Sequence, residues 1–158
     1  MTRLGGLLGH PWLTVRTQIA LGIFFVVAAL PKIADPPGFA HMIYNYRLVP
    51  GSLVNGMALA MPWLELLLGL ALITGIWQRT AASLVGALLV VFTVAIGLNL
   101  LRGNPIDCGC FDVTAAGKSV EERFLDMKMV VVRDVGMLLL VARGLWGSRP
   151  GAAAATVR

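Results

Sequence analysis

One run of 21 residues without a charged side chain, from Ala81 to Leu101, constrains the fold of this chain more than any other feature. An α-helix needs about 20 predominantly apolar residues to cross the hydrocarbon core of a bilayer, so this run is long enough for a complete crossing. The composition agrees, because 58% of the residues are hydrophobic and only 13% are charged, whereas about 25% of the residues in soluble domains are charged. The sequence therefore predicts an all-α integral membrane protein.

Three further apolar segments complete a predicted bundle of four transmembrane helices. The predicted spans cover residues 17–34, 52–76, 81–101 and 124–146. Only a four-residue turn separates the second span from the third, so these two spans should form an antiparallel hairpin. The fourth span is the most polar, since Lys128, Arg133 and Asp134 interrupt it. We expect residues 1–146 to form a single membrane domain and residues 147–158 to form a flexible tail.

The basic residues indicate how the predicted bundle is oriented. Four spans place both termini on one side, and the only charged residues of the segments there are Arg3, Arg16, Arg79, Arg143, Arg149 and Arg158. The opposite side holds seven basic residues among acidic ones, so the plain count of Lys and Arg does not favour cytoplasmic termini. The density of arginine in the short terminal segments and the short turn does favour them. The formal net charge of +5 is dispersed along the chain, which argues against a nucleic-acid surface.

A removable signal peptide is the alternative interpretation of the first 30 residues. Against it, Pro31, Lys32 and Ile33 continue the apolar segment where a polar cleavage region would be needed. The sequence thus predicts a multi-pass protein of the bacterial inner membrane, in contact with the lipid bilayer and with its termini in the cytoplasm.

Both cysteines lie in the polar loop that follows the third predicted span, and that loop then faces the oxidising outer side, where disulfides persist. A bridge between Cys108 and Cys110 would close a very small ring, with Gly109 as the residue best able to bend. Strained disulfides are easily reduced, so the pair is predicted to be catalytic and redox-active. Arg102 would favour the reactive thiolate and Asp107 would oppose it.

Two other interpretations of the cysteine pair remain open. The thiols could be inert, or their bridge could simply pin the loop. They could also bind a metal together with His41 and Asp107, but structural zinc sites usually have wider spacings such as C-x₂-C. The sequence favours a redox pair, and no metal site is predicted.

Charged residues inside the predicted spans form a second candidate site. Glu65 lies near the midpoint of the second span, where an unpaired carboxylate is costly; Lys32 and Arg133 are its candidate partners. Asp134 projects about 100° away from Arg133 around the helix, so the two neighbours need not share partners. The four residues could act as a polar clamp between helices, or they could move protons for thiol oxidation beside an apolar electron acceptor.

A membrane quinone is the possible acceptor. Aromatic residues that could wall its site are Phe24, Phe25, Trp63 and Phe111. Tyr44 and Tyr46 in the first outer loop are interpreted as members of an interfacial aromatic belt.

The same residues resemble a known family. The chain is similar to the methylamine-utilisation protein MauE family in a set of residues that begins at Lys32. The matching features are Lys32, Tyr46, Pro50, the segment MPWLELLLGLALITG, Arg102-Gly103, the element DCGCF at 107–111 and Arg133-Asp134. That family belongs to the wider DoxX-like group of four-helix membrane proteins. The resemblance extends from about residue 17 to residue 146. Its most specific part is the element DCGCF, which ends at Phe111. One departure is Asp112, where family members commonly have glycine.

The resemblance implies a role in maturing exported proteins. The family is associated with the maturation, processing or export of the disulfide-rich small subunit of methylamine dehydrogenase. By this likeness the chain would exchange disulfides with a thioredoxin-fold protein or an exported cysteine-containing client, and electrons would pass to quinone. The alternatives are a non-catalytic assembly or export subunit that docks a partner protein, and a small transporter or metal-handling protein that uses Glu65 and Arg133.

Overall fold

The computed structural model describes residues 11–104, 106 and 119–147, and these contain five helices and no strand. In chain order the helices are α1 (Pro11–Ala34), α2 (Pro36–Asn45), α3 (Gly51–Thr74), α4 (Gln78–Leu101) and α5 (Val120–Gly147). The described part of the chain is therefore all-α, as the sequence predicts. Both cysteines and residues 148–158 of the predicted tail lie outside the described residues, and Gly147, the first tail residue, is the last residue of α5.

Three of the helices are long and apolar enough to cross a membrane: Thr14–Ala34 within α1, all of α3 and all of α4. Exposed apolar side chains cover their outward faces, including Val27, Leu67 and Val94. Such extensive apolar exposure is unusual for a protein in water, whereas a bilayer is a suitable solvent for it. These observations confirm a membrane protein that crosses the bilayer more than once.

Helix α5 differs from these three in its charge. It is continuous over 28 residues, but five charged residues fall between Phe124 and Trp146. It is consequently not among the helices that qualify as spans by length and composition. The fourth crossing, and with it the four-helix membrane bundle, stays a prediction.

The short helix α2 was not predicted, because its residues were interpreted as part of the first outer loop. Its start has a clear local cause. The Asp35 side chain accepts a hydrogen bond from the Gly38 amide at 3.0 Å, and Pro36 and Pro37 occupy the first helical positions, where proline is well tolerated. The buried face of α2 then packs onto α3.

The reversal between α3 and α4 takes only three residues. Gly75 (φ 77°) and Trp77 (φ 50°) both adopt left-handed backbone conformations, which end α3 and start α4 within a single turn. Two long apolar helices are thus joined by a tight turn, as the sequence predicts.

Close packing of α1 on α3 brings two helix backbones together. A Cβ atom added to Gly22 would lie 2.7 Å from the carbonyl oxygen of Gly69, and one added to Gly69 would lie 2.8 Å from the carbonyl oxygen of Gly22. Glycine is the residue that allows this approach between helices in a membrane. Around the crossing, one apolar core contains side chains from all four long helices: Leu21, Phe25, Leu68, Leu72, Val85, Leu89, Met137 and Val141.

Candidate functional site: a cavity with two buried ion pairs

A buried ion pair connects α1 to α3. The Lys32 Nζ atom, in the last turn of α1, donates hydrogen bonds to Glu65 Oε1 at 2.9 Å and to Glu65 Oε2 at 2.7 Å. The two side chains are only 6% and 3% exposed. Lys32, one of the two partners that the sequence suggests for Glu65, contacts it directly.

Two aromatic rings flank the same ammonium group. The Lys32 Nζ atom lies 5.3 Å from the centroid of the Phe39 ring on α2 and 5.4 Å from that of Phe92 on α4. Both distances allow a cation–π interaction, which gains strength where water is excluded. Lys32 therefore contacts three other helices, through a carboxylate and two rings.

A second ion pair lies on α5. The Arg133 side chain donates from Nε at 3.1 Å and from Nη2 at 2.9 Å to the same oxygen, Oδ1, of Asp134. Asp134 is buried, and the Arg133 Cζ atom lies 4.7 Å from the centroid of the Phe24 ring on α1. Neighbours that point about 100° apart on a helix are thus joined to each other, because the long arginine side chain turns back.

Both ion pairs line one cavity of about 150 Å³ where the five helices meet. Its surface is mainly apolar. The lining residues are Phe24, Phe25, Ala28, Lys32, Phe39, Met42, Ile43, Tyr46, Leu48, Val49, Met57, Met61, Glu65, Leu89, Val91, Phe92, Ala95, Arg133 and Asp134. All four charged residues that the sequence singled out within its spans therefore surround one space.

The aromatic residues divide differently from the sequence-based expectation. Phe24 and Phe25 line the cavity as proposed, but Trp63 is 54% exposed on the outward face of α3 and does not. Tyr44 is exposed as a belt residue would be, whereas Tyr46 lines the cavity. Tyr46 lines the cavity because it follows directly after α2, a helix that was not predicted.

Sequence reasoning missed Asn99 near the end of α4. Its side chain is fully buried, and Nδ2 donates to the carbonyl oxygens of Tyr46 at 3.3 Å and Ala95 at 3.0 Å. Within the described residues, Oδ1 has no hydrogen-bond partner. A single amide in a long apolar helix was a visible signal of this contact, which ties α4 to the end of α2. Phe39 and Phe92 were also missed, and no sequence signal distinguishes them from other apolar residues.

The thiol loop itself is not described. Asp107, Cys108, Cys110 and Phe111 lie outside the described residues, so their predicted roles stay predictions. Arg102 is exposed just after α4. Ile106, two residues before Cys108, is buried against Ile96 and Met127.

Comparison with known proteins decides the family. The profile of the family described as methylamine utilisation protein MauE matches residues 10–147. The chain belongs to the MauE family. The match includes all five helices and the segment with the two cysteines.

Curated relatives named methylamine utilization protein MauE support the same assignment. The chain is 34% identical over 105 residues to the protein of Methylophilus methylotrophus, which corresponds to 66% of this chain and 55% of the relative. It is 39% identical over 106 residues to that of Methylorubrum extorquens, with 66% and 57% of the two chains covered. For Paracoccus denitrificans the identity is 35% over 103 residues, with 65% and 55% covered. The matched region thus spans about half the length of these relatives, and no solved structure matches the chain.

Proposed function

We propose that this MauE-family chain is a redox-maturation factor of the bacterial inner membrane that exchanges disulfides with exported proteins of methylamine utilisation. The observation behind the proposal is the cavity, in which side chains from α1, α3 and α5 place one buried and one partly buried ion pair among aromatic rings. Buried ionisable residues in a membrane protein point to a function by default. The names of the relatives supply the pathway, and the Cys-Gly-Cys sequence supplies the reacting groups.

The proposed exchange is a two-electron reaction. A client thiolate attacks one sulfur of the Cys108–Cys110 bridge, and the other cysteine leaves as a thiolate. The second client thiolate then attacks the mixed disulfide, which leaves a disulfide in the client and two thiols in this chain. Two electrons and two protons have passed from client to chain, and they return the chain to its oxidised form when they are transferred to a membrane quinone, which becomes the quinol.

The cavity can serve the proton part of this reaction. Glu65 and Asp134 are carboxylates in mainly apolar surroundings, and each is paired with a cation. Their exchange of protons with the thiols and the quinone is part of the proposal. The proposal assigns the cysteine loop to the outer side, where exported clients are, and the density of arginine near the termini supports this orientation.

The second candidate is a non-catalytic assembly or export subunit. The observation in its favour is that each ion pair also connects helices: Lys32 contacts α2, α3 and α4, and Arg133 contacts α1. Charged groups used in this way would hold the bundle in one arrangement for docking.

Replacement of both thiols distinguishes the two candidates. In a methylamine-utilising bacterium without its own copy, we expect the C108S/C110S variant to leave the exported small subunit of methylamine dehydrogenase with reduced thiols, measured by maleimide gel shift after acid quenching. Expression and membrane insertion of the variant are the control. The C108S and C110S single variants should each accumulate a mixed disulfide with a client or be inactive. A fully oxidised, functional client in cells with C108S/C110S would reject disulfide exchange in favour of the docking subunit.

A further inference from the structure

We propose that the cavity is a binding site for the ring of a quinone, with the Lys32 ammonium donating a hydrogen bond to a ring carbonyl oxygen. This inference rests on the proposed function, for which it names the place where the electron acceptor binds. It is argued from the donors, the charge, the size and the opening of the cavity.

Lys32 has a donor available for a ligand. An ammonium group has three N–H donors, and the two acceptors described for it are the two oxygens of Glu65. The remaining N–H has no acceptor among the described residues. Because Lys32 lines the cavity, a carbonyl oxygen of a ligand there could accept this hydrogen bond.

The charge of the site favours a neutral ligand. Lys32 is paired with Glu65 and Arg133 with Asp134, so the two cations and two carboxylates sum to zero. An anionic substrate would find each cation already neutralised and would lose its hydration to a mainly apolar wall. A neutral ring with polar carbonyl groups does not pay this cost.

The size and walls of the cavity suit one ring. A cavity of about 150 Å³ with apolar walls accommodates a benzene molecule, and this cavity has the same volume. Phe24, Phe39 and Phe92 line it, and aromatic rings pack favourably against other rings in offset or edge-to-face arrangements.

The cavity opens toward the lipid, which leaves room for the apolar tail of a quinone. Val91, in the middle of the apolar helix α4, is 54% exposed, and Leu48 is 36% exposed, yet both line the cavity. A lipid-soluble ligand could therefore enter from the bilayer and leave its apolar tail among the lipids while its ring lies between the helices.

The test is equilibrium binding of decylubiquinone to the purified full chain in nanodiscs, with matched variants on α4. Ala95 lines the cavity, and Ala87 is exposed on the same helix. We expect A95F to fill the cavity and weaken binding by about tenfold or more, and A87F to stay within about twofold of the unchanged protein. Decylbenzene, which lacks the carbonyl groups, should bind more weakly than decylubiquinone.

A second measurement needs no substitution. An azido-ubiquinone should label peptides of α1, α3 or α4 that line the cavity upon illumination, and excess decylubiquinone should prevent the labelling. Labelling confined to outward-facing residues, equal binding by A95F and the unchanged protein, or no saturable binding at all would each overturn the proposal.

Binding by the C108S/C110S variant separates this proposal from the proposed function. We expect that variant to bind decylubiquinone like the unchanged protein, since the cavity does not need the thiols. If it binds while the unchanged chain oxidises no client, the ring site stands and the thiol function fails. If clients are oxidised but decylubiquinone does not bind, the thiol function stands and the ring site fails.

Discussion

Lys32 and Glu65 are each other's main electrostatic partners in surroundings that exclude water. Burial of two charges is costly, and their attraction offsets this cost only while both are present. Removal of one partner leaves an uncompensated charge, whereas removal of both leaves an apolar contact. A single substitution in this pair should therefore destabilise the protein more than a double substitution does.

We expect Glu65→Ala to lower the free energy of unfolding by about 3–5 kcal/mol, because it leaves the buried Lys32 ammonium without a paired negative charge. The double variant K32M/E65L should recover most of this loss. The measurement is thermal unfolding of the purified protein in detergent, with Glu121→Ala, an exposed carboxylate at the start of α5, as the control. If Glu65→Ala unfolds at the same temperature as Glu121→Ala, water reaches the pair and the argument from burial fails.

The same residues show what a sequence can predict of a site. Glu65 was recognisable because a carboxylate in the middle of an apolar run needs a partner, and Lys32 was one of two candidates. The choice between them was not recognisable, because it depends on the crossing of α1 and α3. The contacts of Phe39 and Phe92 with Lys32 could not be predicted for the same reason, since these two residues differ from other apolar residues only in where the fold places them.

At the scale of elements, the crossing of α1 and α3 depends on two glycines. The backbone carbonyl of each lies where a side chain on the other would be. Gly56, on the same helix as Gly69, is exposed and has nothing within 4 Å of an added Cβ. The two positions on α3 therefore differ in packing and not in helix type.

We expect Gly69→Ala to lower the stability of the protein and Gly56→Ala not to lower it. Alanine favours a helix over glycine by about 1 kcal/mol, so Gly56→Ala should be neutral or stabilising. At Gly69 the added methyl group must separate two backbones, and overpacking of this kind costs about 1–3 kcal/mol. Unfolding temperatures of the two variants in one detergent provide the measurement, and equal stability of the two would contradict the packing argument.

The helices also differ in how well the sequence predicts them. The bounds of α4 follow from a long uncharged run, and those of α3 follow from an apolar run in which Glu65 is the only charged residue. Polar and glycine residues mark the ends of both. Helix α2 escaped prediction because its ten residues are too few for a clear periodic pattern, although Asp35 followed by two prolines is a typical helix start. Helix α5 was predicted as an element, but its charges leave its relation to the membrane open to experiment.

At the scale of the whole molecule, orientation determines whether the proposed chemistry is feasible, since exported clients can reach only the outer side. Helix α5 is 28 residues long, or about 42 Å at 1.5 Å per residue, which exceeds the roughly 30 Å of the hydrocarbon core. Its buried charges, Asp134 and the partly buried Arg133, point toward α1 and the cavity rather than outward. The length of α5 and the placement of Arg133 and Asp134 therefore permit a fourth crossing, with the exposed Asp126 and Lys128 near the start of the helix.

Single cysteines in the C108S/C110S background test the orientation of all four long helices. Exposed positions near their ends are Thr80, Val120 and Ala142, and Asn45 is exposed at the end of α2, between α1 and α3. In intact cells we expect a membrane-impermeant maleimide to label N45C and V120C on the outer side, and to label T80C and A142C only after the membrane is permeabilised. In the unchanged chain, Cys108 and Cys110 should be labelled from outside, as N45C is, once reductant is added.

The pattern of labelling distinguishes the ways in which this orientation could be wrong. Labelling of T80C in intact cells while N45C is protected would invert the whole bundle and place the thiols in the reducing cytoplasm, where a stable disulfide is rare. Labelling of both V120C and A142C from outside would mean that α5 lies on the outer surface and that only three helices cross. Because each outcome changes which side the thiols or the last helix occupy, neither is compatible with the four-span arrangement proposed for disulfide exchange.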